Sequence, residues 1–72
     1  MENEQWFLRA LRLELSLTQS EVGKAVGLTQ GKISAFERGA DKPTHDERRA
    51  IVDLFVRRAA VRGMEIWILE RK

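Results

Sequence analysis

Apolar residues recur at helical spacing from the start of the chain. Near the N-terminus they fall three and four positions apart, which places them on one face of an amphipathic helix from about residue 4 to residue 15. Asn3, just before this segment, is a residue type that caps helix N-termini. The apolar face of this first helix consists of Phe7, Leu8, Leu11 and Leu15.

Capping residues mark two further short helices. Thr18 and Glu21 form the T-x-x-E capping box that opens a second helix, and Gly27 ends it. Thr29 is the N-cap of a third helix, which stops at Gly39. The residues that we expect to form a small core in this region are Val22, Val26, Leu28, Ile33 and Phe36.

A fourth, longer helix and a strand follow. Thr44 and Glu47 repeat the capping box, and Gly63 breaks the helical period. From Met64 to Glu70 the period changes to two in β-branched and aromatic company, which predicts a strand. The residues at helical spacing in the fourth helix are Ile51, Leu54, Phe55, Arg58 and Ala59. The sequence therefore predicts a mainly α, compact domain of four helices followed by a C-terminal β-strand.

Composition indicates one small domain without covalent or metal cross-links. The 72 residues include no cysteine and one histidine, which excludes a disulfide scaffold and a structural zinc site and fits the reducing cytoplasm. No segment approaches the roughly 20 apolar residues of a membrane span. The N-terminal segment MENEQWF lacks the charge pattern of a secretory signal. We expect a soluble, cytoplasmic protein that does not associate with membranes.

The sequence lacks the residue patterns of an active site. It has no cysteine or tyrosine, no glycine-rich phosphate loop, and no carboxylate pair placed for acid–base chemistry. His45 begins a capped helix, where we expect it to be solvated or to touch phosphate. We therefore expect no enzymatic activity, no cofactor and no metal, and no small-molecule ligand is evident from the sequence.

The second and third helices, joined by a tight turn, have the pattern of a DNA-reading helix-turn-helix. The formal net charge of +2 permits nucleic-acid binding without requiring it. The run LTQSEVGKAVGLTQGKISAFERGADKP resembles the Cro and phage-repressor (XRE-like) helix-turn-helix family, in which L-T-Q, a turn glycine, S/T-Q, an inward isoleucine and E-x-G recur. The resemblance spans roughly Leu11 to Thr44. After Pro43 family members usually have two short helices, so the resemblance implies no dimer geometry here.

The resemblance implies that the N-terminal end of the third helix reads base edges in the major groove. Gln30 is the leading base reader, because the family places a DNA-contacting glutamine here and a glutamine amide pairs bidentately with adenine N6 and N7. We expect Lys32 to reach guanine or phosphate, and Ala35 to meet a thymine methyl group. The candidate base-reading residues are Gln30, Gly31, Lys32, Ser34 and Ala35.

Phosphate contacts need only donors or positive charge, so a wider set of residues qualifies. Gln19 matches the family position for such a contact, at a helix N-terminus that favours anions. The candidate phosphate-binding residues are Thr18, Gln19, Lys24, Thr29, Arg38, Lys42 and Thr44. The resemblance also implies that Arg12 and Glu37 form an internal ion pair between the first and third helices. Five arginines make the fourth helix basic: Arg48, Arg49, Arg57, Arg58 and Arg62. A second DNA-facing surface is one interpretation, and the solvated side of a surface helix is the favoured one.

The predicted tail implies a second subunit. An isolated strand leaves its ladder hydrogen bonds unsatisfied, and the chain offers no other convincing strand. We therefore expect a homodimer in which two tails form an antiparallel ribbon and bring two reading helices about 34 Å apart, as a palindromic operator requires. Leu13, off the apolar face of the first helix, adds to the surface available to a second subunit. The expected interface residues are Met64, Ile66, Trp67, Ile68 and Leu69.

These observations predict a sequence-specific regulator of transcription that binds double-stranded DNA. Residues 1–72 form one helix-turn-helix domain, with the helix-turn-helix at about 18–38 and a dimerising helix and strand at 44–72. Repression is expected because so small a chain has little surface for other contacts, whereas activation would need an acidic patch around Glu21 or Asp41.

A protein-interaction module is the alternative. An antitoxin or anti-repressor of this size would bind a protein partner through its apolar C-terminal tail. Such a protein would tolerate Gln30→Ala, whereas a DNA-reading regulator would not.

Overall fold

The computed structural model describes residues 4–61, which form four α-helices. Their bounds are α1 Glu4–Glu14, α2 Gln19–Val26, α3 Gln30–Arg38 and α4 His45–Val61. Helix α3 packs against α1 and α2, and α4 packs against α2. The predicted four-helix order is confirmed within this part of the chain.

The first helix packs one apolar face into the core and ends without glycine. Leu8 and Leu15 are buried, whereas Leu13, which lies off this apolar face, is 50% exposed. Ser16 adopts a positive φ of 59°, and the next N–H, that of Leu17, donates to the Arg12 carbonyl at 3.1 Å. This tight end turns the chain so that Leu17 is buried in front of α2.

Both predicted capping boxes are present. At the start of α2 the Glu21 N–H donates to Thr18 Oγ1 at 3.0 Å, and the Thr18 N–H donates to Glu21 Oε1 at 2.8 Å. The backbone hydrogen bond from Thr18 holds the pKa of Glu21 below its ordinary value. Where α4 begins, the Glu47 N–H donates to Thr44 Oγ1 at 3.1 Å, and the Thr44 N–H donates to Glu47 Oε1 at 2.9 Å. These local bonds satisfy backbone donors that a helix start would otherwise leave free.

The turn between α2 and α3 depends on two glycines. Gly27 has a φ of 78°, a left-handed conformation that glycine adopts without steric cost. Gly23 faces the turn itself, since a Cβ added there would lie 2.7 Å from the Leu28 carbonyl oxygen. The Leu28 N–H donates to the Gly23 carbonyl at 2.8 Å. The turn therefore packs directly on the backbone of α2, and this close approach fixes where α3 starts.

The core lies between the four helices and includes residues of each of them. Phe36 and Phe55 are each only 1% exposed, and the predicted inward residues Val26 and Leu28 are partly buried at its edge. Arg58 shares the helical period of the buried face of α4 but is exposed, as expected for a long side chain that keeps its charged end in water. The remaining buried apolar residues are Leu8, Leu15, Leu17, Val22, Ile33, Ile51, Leu54 and Ala59.

Several sequence predictions lie outside the described residues. These are the N-cap at Asn3, the helix end at Gly63, and the strand Met64–Glu70 with its dimer contacts. The subdivision of the chain into reading and dimerising parts also stays a prediction. Among the residues that the structure describes, no helix is both long enough and apolar enough to cross a membrane.

Gly23→Ala should destabilise the domain by about 2 kcal/mol, because the new methyl group must displace the backbone of the turn. Gly31→Ala is the matched control, since a Cβ there meets nothing within 4 Å. We expect that control to leave stability unchanged or to raise it by up to about 1 kcal/mol. Urea unfolding measures both, and equal stabilities for the two variants would contradict the close approach.

Candidate nucleic-acid interface

Helix α3 presents its N-terminal end to the outside. Ile33 and Phe36 anchor its inner face in the core, at 3% and 1% exposure. Thr29 caps the helix by accepting the Lys32 N–H at 3.1 Å. Of the candidate base-reading residues, Gln30 and Gly31 are exposed, and the other three are half-buried: Lys32, Ser34 and Ala35.

Gln30 is held in place by the neighbouring helix. Its Nε2 donates to Gln19 Oε1 at 2.6 Å, which joins the first residue of α3 to the first residue of α2. Gln19 is itself half-buried, and its Nε2 donates to Glu37 Oε1 at 3.0 Å. The structure therefore brings the leading candidate for base reading and the leading candidate for phosphate contact together in one series of hydrogen bonds.

The hydrogen bonds that link Glu37, Gln19 and Gln30 all run in one direction, because the series begins at a carboxylate. Glu37 is ionised and can only accept hydrogen bonds, so Gln19 turns its NH₂ group toward it. The Gln19 carbonyl oxygen then faces Gln30, which presents its own NH₂ group in turn. In this way the buried carboxylate determines the orientation of both amides.

Arg12 anchors the buried end of this series of hydrogen bonds. Its Nε and Nη2 donate to the two carboxylate oxygens of Glu37, and its Nη1 donates to the Leu17 carbonyl at 2.8 Å. The two side chains are 9% and 4% exposed, and the pair links α1 to α3. Among the described residues no buried side-chain nitrogen or oxygen lacks a partner. The pair that the family resemblance implies is thus present, and each of the three guanidinium nitrogens and both carboxylate oxygens take part in a hydrogen bond.

The pKa of Glu37 lies below its ordinary value. Burial raises the pKa of this carboxyl, but hydrogen bonds from Arg12 and Gln19, together with the charges of Arg12 and Arg9, outweigh that effect. Glu37 therefore stays charged at neutral pH, as the direction of the amide chain requires.

The other candidate contacts differ in how they are held. Lys32 donates to Asp41 Oδ2 at 2.9 Å, and Arg38 Nε donates to Ser34 Oγ at 3.2 Å. Lys24 and Lys42 are exposed. The hydroxyl oxygens of three further candidates accept capping bonds, which leaves their O–H groups able to donate: Thr18, Thr29 and Thr44.

Two features of this surface were missed in the sequence analysis. Asp41 was considered only as part of an acidic patch, and the structure shows it to be the partner of Lys32. Ser16 and Ser20 border Gln19 in a shallow, open groove of about 630 Å³ that also touches Gln30. No local spacing signals either feature, since each depends on how helices pack. Within the described part of the chain, no cluster of side chains has the composition of a metal site.

Comparison with known families agrees with this geometry. A family model described as a helix-turn-helix domain matches residues 6–62. The chain belongs to this helix-turn-helix family, which is related to the XRE-type domains, and the resemblance seen in the sequence is confirmed. The family is one of DNA-binding regulators and is typically non-enzymatic. No curated protein and no solved structure gave a significant match.

Acid should destabilise the protein in part through Glu37. Since its folded pKa is lowered, its contribution to stability is present above the pKa of an unfolded glutamate, about 4.3, and is lost as the pH falls through the folded pKa. Glu37→Gln should therefore flatten the dependence of the unfolding free energy on pH below about 4.3. Urea unfolding at stepped pH measures this slope.

Glu14→Gln is the control for that measurement, because it removes an exposed carboxylate at the end of α1. We expect it to keep the wild-type slope. An unchanged slope in Glu37→Gln would contradict the account of the buried pair.

Proposed function

We propose that the chain is a sequence-specific regulator of transcription that binds double-stranded DNA as a homodimer on a palindromic operator, and that it acts as a repressor. The observation that carries the proposal is the position of Gln30. It lies exposed at the N-terminal end of α3, and hydrogen bonds lead from it to the buried carboxylate of Glu37. A side chain fixed in this way is preorganised for reading a base.

The Gln30 amide keeps the groups that an adenine edge requires. One hydrogen of its NH₂ group is given to Gln19, and the other remains able to donate. Within residues 4–61 its Oε1 accepts no hydrogen bond. A donor and an acceptor on one planar group match adenine N7 and N6, a pairing worth about 1 to 3 kcal/mol of discrimination. Gly31, Ser34 and Ala35 complete the proposed base-reading set, whereas Lys32, the remaining candidate, is paired with Asp41.

Phosphate contacts on both sides of α3 would position this amide. The N-terminus of α2 offers backbone N–H groups and the positive end of a helix dipole beside Gln19. Lys24 and Lys42 are exposed cations at other points of the surface. The proposed phosphate contacts are Thr18, Gln19, Lys24, Thr29, Arg38, Lys42 and Thr44. These contacts set the register on the duplex and carry no sequence information themselves.

Repression is the simplest mode for such a chain. A protein that occupies an operator blocks polymerase without further contacts, whereas activation requires a surface that touches it. Glu21 and Asp41, the acidic residues considered for such a surface, are already engaged in a capping box and an ion pair.

Binding of wild type and Gln30→Ala to random duplexes, followed by enrichment sequencing at two salt concentrations, tests the reading role. We expect wild type to enrich a palindrome, with an affinity that falls steeply as salt rises. Gln30→Ala should relax one symmetric pair of positions by about 1 to 3 kcal/mol each.

Arg57→Ala controls for general loss of contacts, since it removes an exposed cation from α4. It should preserve the motif. If wild type enriches no motif, the regulator proposal fails and binding of a protein partner becomes the better account. If Gln30→Ala enriches the wild-type motif unchanged, Gln30 is not the base reader.

The homodimer is tested by sedimentation of the full chain. We expect a dimer at micromolar concentration, and we expect Ile66→Asp and Ile68→Asp to give monomers, because a charge in the paired tails leaves a carboxylate desolvated at the interface. Val61→Ser changes an apolar residue before the tail that is 83% exposed, and it should leave the dimer intact. A monomeric wild-type protein would refute tail pairing.

A further inference from the structure

The ammonium group of Lys32 lies toward the end of α3 that is opposite to Gln30. Its Nζ donates to Asp41 Oδ2 at 2.9 Å and lies 5.9 Å from the centroid of the Phe36 ring. Phe36 is one helical turn beyond Lys32, and Asp41 follows Gly39, where α3 ends. The lysine stem therefore runs toward the C-terminal end of the helix, and its charge is withdrawn from the end that meets base edges.

The Asp41 carboxylate is itself fixed by the loop. The N–H groups of Ala40 and Asp41 donate to the Ala35 carbonyl at 2.9 and 3.3 Å, which ties the loop to the last turns of α3. On the other side, Asp41 Oδ1 accepts the Lys42 N–H at 2.8 Å. One carboxylate oxygen is thus held by the backbone, while the other is aimed at Lys32.

Helix stability does not account for this carboxylate. A negative charge just beyond a helix C-terminus has the unfavourable sign for the helix dipole. The side chains of Lys32 and Asp41 are 42% and 43% exposed, and ion pairs with that exposure contribute little to folding. The hydrogen bond between them raises the pKa of Lys32 and lowers that of Asp41, so both are charged at neutral pH. Since the ion pair contributes little to stability, its main consequence is for how the charge of Lys32 interacts with a ligand.

We propose that Asp41 is a specificity-determining residue that holds Lys32 back from the phosphate backbone and so weakens binding to DNA of unrelated sequence. The inference rests on the proposed function. A lysine that neutralises a phosphate releases a condensed counterion and strengthens binding to any duplex. While Lys32 is paired with Asp41, that gain requires the internal ion pair to break. Discrimination then depends on the Gln30 end of α3, where the amide is already in position.

A double-mutant cycle on duplex binding tests this role. Dissociation constants are measured over a range of salt concentrations for wild type, Asp41→Asn, Lys32→Met and the double variant. Each protein is tested on the enriched duplex and on a scrambled duplex. Asp41→Asn retains an oxygen that can accept the Lys42 N–H, and thermal unfolding checks that each variant folds.

We expect Asp41→Asn to tighten binding to the scrambled duplex about fivefold and to steepen its salt dependence by about 0.9 in log–log slope, as one added phosphate contact would. The enriched duplex should gain less, so the specificity ratio falls. In the Lys32→Met background the same substitution should give less than half of that gain. Asp53→Asn, which removes an exposed carboxylate of α4, controls for net charge and should leave the specificity ratio unchanged.

Equal tightening by Asp41→Asn with and without Lys32 would overturn the proposal, because the effect would then be simple repulsion between Asp41 and phosphate.

A titration of the Asp41 carboxyl by NMR, without DNA, provides an independent test. Its midpoint should rise in Lys32→Met, and an unchanged midpoint would also overturn the proposal. If wild type binds neither duplex, the proposed function itself fails, which is a different result from equal tightening.

Discussion

The buried carboxylate of Glu37 joins three helices at one point, and the candidate DNA-reading surface depends on it. The residue belongs to α3, accepts two hydrogen bonds from Arg12 on α1, and accepts one from Gln19 on α2. A charge that is 4% exposed costs several kcal/mol if it is left without a partner. The helices are therefore held in the one arrangement that pairs it. Such a pair adds little net stability compared with an apolar core, and what it provides here is a defined geometry.

A carboxylate fixes a side chain at each end of α3, in one case an amide and in the other a lysine. At the N-terminal end, Glu37 acts through Gln19 to orient the Gln30 amide toward the outside. At the C-terminal end, Asp41 draws the charge of Lys32 toward itself. In the proposed function, the first arrangement presents a neutral amide that distinguishes bases, and the second restrains a cation that does not. Under that proposal, the two arrangements together favour discrimination between sequences over affinity for any duplex.

Local chemistry explains which features the sequence could predict. The caps at Thr18, Thr29 and Thr44 depend on residues three positions apart, and the glycine ends of α2 and α3 depend on one residue each. Features that depend on how the helices pack could not be predicted from residue spacing. Arg58 shares the spacing of the buried face of α4 and is nevertheless exposed, and the partner of Lys32 lies nine positions away in a loop. The ion pair of Arg12 came from the family resemblance, since no spacing rule links residues on separate helices.

The most direct test of the central claim is a double-mutant cycle between Gln19 and Gln30, read as discrimination at the base pair that Gln30 recognises. If the hydrogen-bonded chain orients the reading amide, Gln19→Ala should lose most of the discrimination at that base pair, and adding Gln30→Ala should cost little more. If the two losses simply add, Gln30 reads DNA without the support of Gln19, and the chain from Glu37 does not set the reading geometry.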